Sequence, residues 1–281
     1  MLARAVERSL ARKRRIRVKR IGVDETSFQR RHEYVTIVTD LDSGRVLYVA
    51  GDRKRESIES YFRSLTPAQI DAIEAVAMDM WGVFLRVVRD HVPDADKKFA
   101  FDKFHVAQHL GDGVDRVRRE EHRALLAEGD DSLKGSRYLW LTNPDNFEPE
   151  QVGAIEALHQ MNLRTSRAWS LKETAMCIWR FVRRSSARAA WTAWIGKAMR
   201  SRLEPMEKVA RMIRDHLCGI VNAMALRATN AASESVNSKV QRIKRAACGF
   251  RSRNRFRNAI YFRLGGLDLY PAGVSATHTT S

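Results

Sequence analysis

The sequence predicts an α/β fold: a mixed sheet flanked by helices and interrupted by an all-helical segment. Three observations carry this. Short apolar runs rich in β-branched residues fill residues 20–106 in the order β-β-β-α-β-α-β, which does not suit a doubly wound parallel sheet. From about 107 to 228 strand signals vanish and helical periodicity takes over. A long amphipathic helix from Ser233 then resumes the first pattern, so the sheet-forming part is split by an insertion. The expected segments are a basic arm at 1–20, a first core part at 21–106, the insertion at 107–228, a last core part at 229–268 and a disordered tail at 269–281.

Each element has its own signal. RIGVDETSF (20–28) reads as a buried strand carrying Asp24. YVTIVTDLDSG (34–44) is β-branched and ends in an Asp-Ser-Gly turn, and RVLYVAGD (45–52) pairs back across it. RESIESYFRSL (55–65) places Ile58, Tyr61, Phe62 and Leu65 on one helical face. Thr66-Pro67 starts the next helix. A strand at 74–79, a helix at 81–91 and a strand at 97–106 follow. In the insertion, Ala168, Leu171, Ala175, Ile178 and Val182 make one stripe. Trp140, Trp169, Trp179, Trp191 and Trp194 all lie there and read as core rather than as stacking platforms for bases. The final long helix buries Val236, Val240, Ile243 and Ala247, with Ser233 as N-cap and Gly249 as C-cap. The stretch from Arg251 to Leu267 continues as helix.

Bulk properties narrow the function. The chain has 281 residues, enough for a large core. No apolar run is long enough for a transmembrane helix, and the basic N-terminus lacks the apolar stretch of a signal peptide. Three scattered cysteines, Cys177, Cys218 and Cys248, form neither a disulfide framework nor a paired zinc site, which suits a reducing cytoplasm. Net charge is +17, and its distribution matters more than its size. Residues 1–20 carry nine Lys/Arg and one acid; residues 239–263 carry nine Lys/Arg and none. The remaining chain is balanced, 32 basic against 32 acidic residues. Two concentrated basic blocks on a neutral body point to a polyanion, most simply nucleic acid.

Two acids stand out from the strands. Asp24 follows Ile21-Gly22-Val23, and Asp79 ends Ala75-Val76-Ala77-Met78. A fourth strand returning beside the first would set these carboxylates side by side at the sheet edge. Adjacent carboxylates repel unless a cation lies between them, and oxygen-only ligation suits magnesium or manganese. Two such ions serve phosphodiester chemistry by activating a nucleophile and stabilising the leaving oxygen. Asp79 also has a plainer role open to it, capping the helix that follows. Glu234 is the best third acid: Gln241 and Arg245 lie within about 20° of it on the helix, away from the apolar stripe. A first-turn glutamate favoured by the helix dipole accounts for it equally well.

Four stretches, IGVDETSF, AVAMDMWGVF, FAFDKFHVAQHL and NAASESVNSKVQRIKRAACGFRSRNRFRNAIYFRL, resemble the transposases of bacterial insertion sequences of the ISL-three family, DDE enzymes with an RNase H-like core. The resemblance covers about residues 18–265. Its most specific part is Asn230, Glu234, Asn237 and Lys239, followed by the Ile-Lys-Arg and Gly-Phe-Arg steps. It implies that Asp24, Asp79 and Glu234 are a catalytic triad holding two magnesium (or manganese) ions. It also implies an all-helical insertion between the second aspartate and the glutamate. The family carries an acid at Asp102 as well; one strand beyond Asp79, it is expected beside the site, together with His105 and Asn237. His105 and His109 share an i, i+4 spacing, but no further ligand joins them as in a zinc protease, so helix packing is their expected role.

The implied activity is cleavage of double-stranded DNA at insertion-sequence ends and joining of the freed 3′ hydroxyl to target DNA. Lys239, Arg242, Lys244, Arg245, Arg251, Arg253 and Arg255 are expected to neutralise phosphates. A homo-oligomer on DNA, away from any membrane, is the expected assembly, in the cytoplasm on the nucleoid. Family members usually carry an N-terminal zinc-binding module and a helix-turn-helix. This chain is expected to be a core without them. The alternative is a truncated, non-catalytic DNA-binding derivative that inhibits the intact enzyme by mixed assembly.

Overall fold

The structure is a computed structural model and describes residues 2–13, 16–29, 33–52, 54–161, 163–226 and 231–270, with only the backbone at 231 and 232. The chain divides into two compact units, one reaching to Phe101 and resuming at Leu226, the other spanning Asp102–Ala225.

The first unit opens with α1 (Leu2–Arg12), then β1 (Arg20–Gln29), β2 (Glu33–Asp40) and β3 (Val46–Ala50). β1 and β2 pair antiparallel, with Asp24 opposite Ile37, and β2 pairs antiparallel with β3. The turn between them closes where Gly44 N–H donates to Asp40 O at 2.8 Å, and Gly44 takes a φ of +66°, a conformation that favours glycine. α2 (Arg55–Arg63) and α3 (Pro67–Asp71) follow. Thr66 starts α3 as expected, and Gln69 Oε1 accepts from Thr66 N–H at 3.0 Å. β4 (Ala75–Met78) then runs parallel to β1, matching Val23 with Met78. α4 (Gly82–His91), α5 (Ala95–Lys98) and β5 (Phe99–Phe101) complete this part, β5 lying parallel to β4.

The sheet order is β3-β2-β1-β4-β5. The fourth strand therefore does return beside the first, and the mixed α/β sheet expected from the sequence is present. β1 is central, so Asp24 and Asp79 sit in mid-sheet, not at its lateral edge. The expected strand at 97–106 is shorter: Lys97 and Lys98 end α5, and the chain turns helical again at Lys103. Asp102 causes that turn, since its Oδ1 accepts from Phe104 N–H at 3.0 Å, an N-cap that ends strand pairing.

Among its described residues, the second unit has helices as its only regular elements. It contains α6 (Lys103–Ala127), α7 (Arg137–Leu141), α8 (Pro149–Gln160), α9 (Arg164–Ile178), α10 (Arg184–Met199), α11 (Glu204–Asp215) and α12 (Leu217–Leu226), which ends at the unit boundary. Trp140, Trp191 and Trp194 are fully buried, as a core role requires. Trp194 Nε1–H donates to Leu171 O at 2.8 Å and Trp140 Nε1–H to Ser136 Oγ at 3.1 Å. Trp169 and Trp179 are half-buried. α9 has an apolar N-cap residue, Leu163, and a carboxylate from α6 replaces the missing cap. Glu121 accepts from Arg164 N–H and Thr165 N–H, each at 2.7 Å. The stripe on α9 ends at Ile178; Val182 lies beyond the helix and is exposed, because the chain leaves helical geometry at Trp179.

The chain returns to the first unit with α13 (Ala231–Ala246) and α14 (Arg253–Leu264). α13 starts two residues before Ser233, which is buried inside the helix and is not its cap. Its end lies close to the expected Gly249, but the first left-handed residue is Cys248, at a φ of +50°; Gly249 follows at +94°, and its N–H closes on Lys244 O at 2.9 Å. Val236 and Val240 are buried, Ile243 half-buried, and Ala247 exposed because the helix has ended. One cluster joins Val6 of α1, Phe28, Val35, Ile37 and Val49 of the sheet, and Val236, Val240, Phe256, Ile260 and Tyr261 of α13 and α14. These helices thus cover one face of the β1–β3 half.

Candidate active site

β1 alternates its side chains, so Asp24, Thr26 and Phe28 share a face. Phe28 belongs to the cluster under α13 and α14, so Asp24 and Thr26 face the same helices. Asp24 is half-buried; its Oδ1 accepts from Glu25 N–H and its Oδ2 from Asn237 Nδ2–H of α13, both at 2.7 Å. Two further side chains of α13 reach β1: Gln241 Nε2–H donates to Thr26 Oγ1 at 2.7 Å, and Lys244 Nζ to Ser27 O at 3.0 Å.

Asp79 is the residue after β4, as Asp24 follows Val23, and Val23 and Met78 are register partners on adjacent parallel strands. The two aspartates therefore leave the same rung of the β1–β4 ladder. Asp79 does not stand at the N-cap position of α4. That helix has Trp81 as its N-cap, two residues further on, and Asp79 Oδ1 accepts from Met80 N–H at 2.6 Å. Glu234 is exposed and lies three residues before Asn237, one turn along the same face of α13. Among the described residues, no three His, Cys, Asp or Glu side chains are grouped closely enough to hold a metal ion. The structure thus brings Asp24 and Asn237 into contact, aligns Asp79 with Asp24 by register, and carries Glu234 on the attached helix without closing the three acids into one cluster. Like charges with no cation between them repel, which favours an open arrangement.

Asp102 and His105 belong to the second unit. Asp102 is buried, with its Oδ1 committed to the α6 cap; His105 is half-buried and His109 exposed. Asn230 lies outside the described residues. Of the basic residues singled out, Lys239, Arg242, Arg245, Arg251, Arg253 and Arg255 are exposed along α13, the connection after it and α14. Arg253 pairs with Glu33 at 3.5 Å. Lys244 differs: it is half-buried and spends one of its three N–H donors on the β1 backbone. Sequence reasoning missed Thr26 and Ser27 as partners of the helix. The period-2 alternation that puts Thr26 on the face of Asp24 was the available signal.

No helix among the described residues is long and apolar enough to cross a membrane. Cys177, Cys218 and Cys248 are all exposed, and no disulfide joins them.

Comparison with known proteins identifies the family. The family model for ISL3-type DDE transposases, described as "Transposase", matches residues 21–260. The chain is 28% identical over 243 residues to the transposase for insertion sequence element IS1001 of Bordetella parapertussis, covering 85% of this chain and 59% of that protein. It is 28% identical over 258 residues to the transposase for IS1557 of Mycobacterium tuberculosis, covering 84% of this chain and 57% of that protein. The chain thus spans rather more than half the length of the curated relatives it matches. No solved structure matches it significantly. The match runs from the start of β1 almost to the end of α14 and takes in every carboxylate considered above, so the chain belongs to the ISL3-type family of DDE transposases.

Proposed function

We propose that this chain is the catalytic core of a transposase, cutting double-stranded DNA at insertion-sequence ends and transferring the freed 3′ end to target DNA. One observation carries the reading: Asp24 and Asp79 leave adjacent parallel strands at the same rung, while Asn237 ties the Glu234 helix directly to Asp24. The donor set is all oxygen, the chemistry magnesium or manganese prefers. Asp24, Asp79 and Glu234 would hold the ions. When bound, a pair of such ions supplies Lewis-acid activation of the attacking oxygen and stabilisation of the leaving one.

The remaining work falls to the chain's own side chains. Asn237 and the Glu25 backbone N–H hold the two Asp24 oxygens in place. The exposed cations of α13 and α14 would grip phosphates beside the acids and position the duplex without reading its sequence. The substrates are element ends and target DNA, and the acting form is a homo-oligomer assembled on the DNA.

The test is magnesium-dependent nicking of an element-end duplex. Asp79→Asn and Glu234→Gln should each cut at least about a hundredfold more slowly, since metal stabilisation supplies several kcal/mol. Asp102→Asn should retain most activity. An Asp79→Asn variant that nicks as fast as wild type would overturn the assignment. A wild-type chain that binds duplex DNA yet never nicks it would favour the non-catalytic DNA-binding reading.

A further inference from the structure

We infer that Asn237, Gln241 and the β1 residues they touch are a register device. It locks α13 along β1 and makes Asn237 a positioning residue for the Asp24 carboxylate and, through the helix, for Glu234. The inference rests on the metal-centre reading above and adds what sets that centre's geometry.

The spacing carries the argument. From Asp24 to Thr26 a strand advances about 6.6 Å, and from Asn237 to Gln241 a helix advances about 6 Å. The two repeats nearly match, so α13 and β1 run in the same direction with rungs at Asn237–Asp24 and Gln241–Thr26, each 2.7 Å long. A third rung, Lys244 to Ser27 O at 3.0 Å, closes the C-terminal end. Beside the rungs, Val236 and Val240 supply apolar burial. Apolar contact is non-directional and would tolerate a slide of the helix. The hydrogen bonds would not, because any slide short of a full turn breaks them together and leaves the buried Thr26 hydroxyl without its donor.

The chemistry of the first rung is also specific. An amide N–H facing a carboxylate orients it without neutralising it. A lysine or arginine there would compete with a cation for the same oxygens. Glu234 then follows from Asn237, being fixed one helical turn away on the same rigid element.

The test is Mn2+ binding to the full chain, followed by calorimetry and by the spin-resonance signal of the free ion, with unfolding midpoints recorded alongside. Asn237→Ala should weaken Mn2+ binding roughly 10- to 100-fold, as loss of a ligand-orienting partner does, with a near wild-type midpoint. Thr26→Val, isosteric and lacking only the hydroxyl that Gln241 meets, should weaken it several-fold, and Thr26→Ser should restore it. Asp24→Asn and Glu234→Gln serve as controls. If they lose Mn2+ but Asn237→Ala and Thr26→Val bind it as tightly as wild type, the register device is overturned and the metal centre stands. If the controls bind Mn2+ like wild type, the metal centre falls and the inference falls with it.

Discussion

At the scale of single residues, partners decide which polar groups serve structure. Asp79 and Asp102 look alike in sequence, each following a short apolar run. One accepts from the next backbone N–H, two residues ahead of the N-cap of α4; the other is the N-cap of α6. His159 shows the same dependence in the helical unit. Its ring packs against Trp140 and Trp169 at centroid distances of 5.6 and 4.7 Å, and its Nε2 is enclosed without a hydrogen-bond partner. Burial holds its pKa below the ordinary 6.5. The unfolded chain therefore binds the proton more readily. Stability should be unaffected above pH 6.5 and should fall as the pH drops below 6.5 toward the lowered folded value. His159→Phe keeps the ring contacts and should flatten part of that slope between pH 7 and 5. Urea unfolding followed by tryptophan fluorescence reads this unit, which holds five of the six tryptophans. Parallel slopes for variant and wild type would show that the ring is not desolvated.

At the scale of elements, the N-terminal basic segment is more than an arm. α1 buries Val6 in the cluster beneath α13 and α14. Ser9 Oγ–H donates to Asp268 O, Arg8 to Leu269 O at 3.2 Å, and Arg12 to Tyr270 O at 2.6 Å, so α1 straps the end of the described chain. Leu269 and Tyr270, at the start of the segment expected to be disordered, are held; residues 271–281 lie outside the described residues. Arg4, Arg8 and Arg12 remain exposed on the outer face. Val6→Ala should destabilise the protein by about 2 kcal/mol, the loss of two buried methyl groups plus the cavity left behind. Deleting residues 2–12 should lower the urea midpoint further. A deletion that changes only DNA affinity and leaves the midpoint untouched would restore the free-arm reading.

At the scale of the whole molecule, the basic blocks are tested apart from the proposed carboxylate site. Phosphate contacts release condensed counterions, so six Lys/Arg contacts should give a slope of log K against log salt of roughly −5. Replacing the exposed Arg242, Arg245 and Arg255 by Ala should make it shallower by roughly 2 to 3 units. Lys244→Ala should change it less, because that ammonium already serves the β1 backbone. Salt titrations on an inverted-repeat duplex and a scrambled duplex of equal length measure both. Phosphate contacts carry no sequence information, so the two duplexes should bind alike. A preference above about a hundredfold would mean that this core itself reads the element end.

What the sequence determined by itself was local or compositional. The apolar, β-branched runs in RIGVDETSF and YVTIVTD, the apolar stripe of α2, the Thr66-Pro67 start and the stop near Gly249 were legible because such signals are carried by a few neighbouring residues. The two basic blocks and the acids at 24, 79 and 234 were legible as residue types in context. Other features needed the fold. Asn237 meets Asp24 across 213 positions and Gln241 meets Thr26 across 215. Tyr261 accepts from the Val49 N–H at 2.9 Å, its own hydroxyl pushed up to about 12 by burial. No local period encodes such a pair. The same holds for Val6, a single valine in a charged helix, and for Lys244, one cation among nine in its block. Directional bonds between distant segments exist only once apolar burial has brought those segments together, so only the tertiary structure decided which polar side chain stays exposed to solvent and which one holds the helix to the strand.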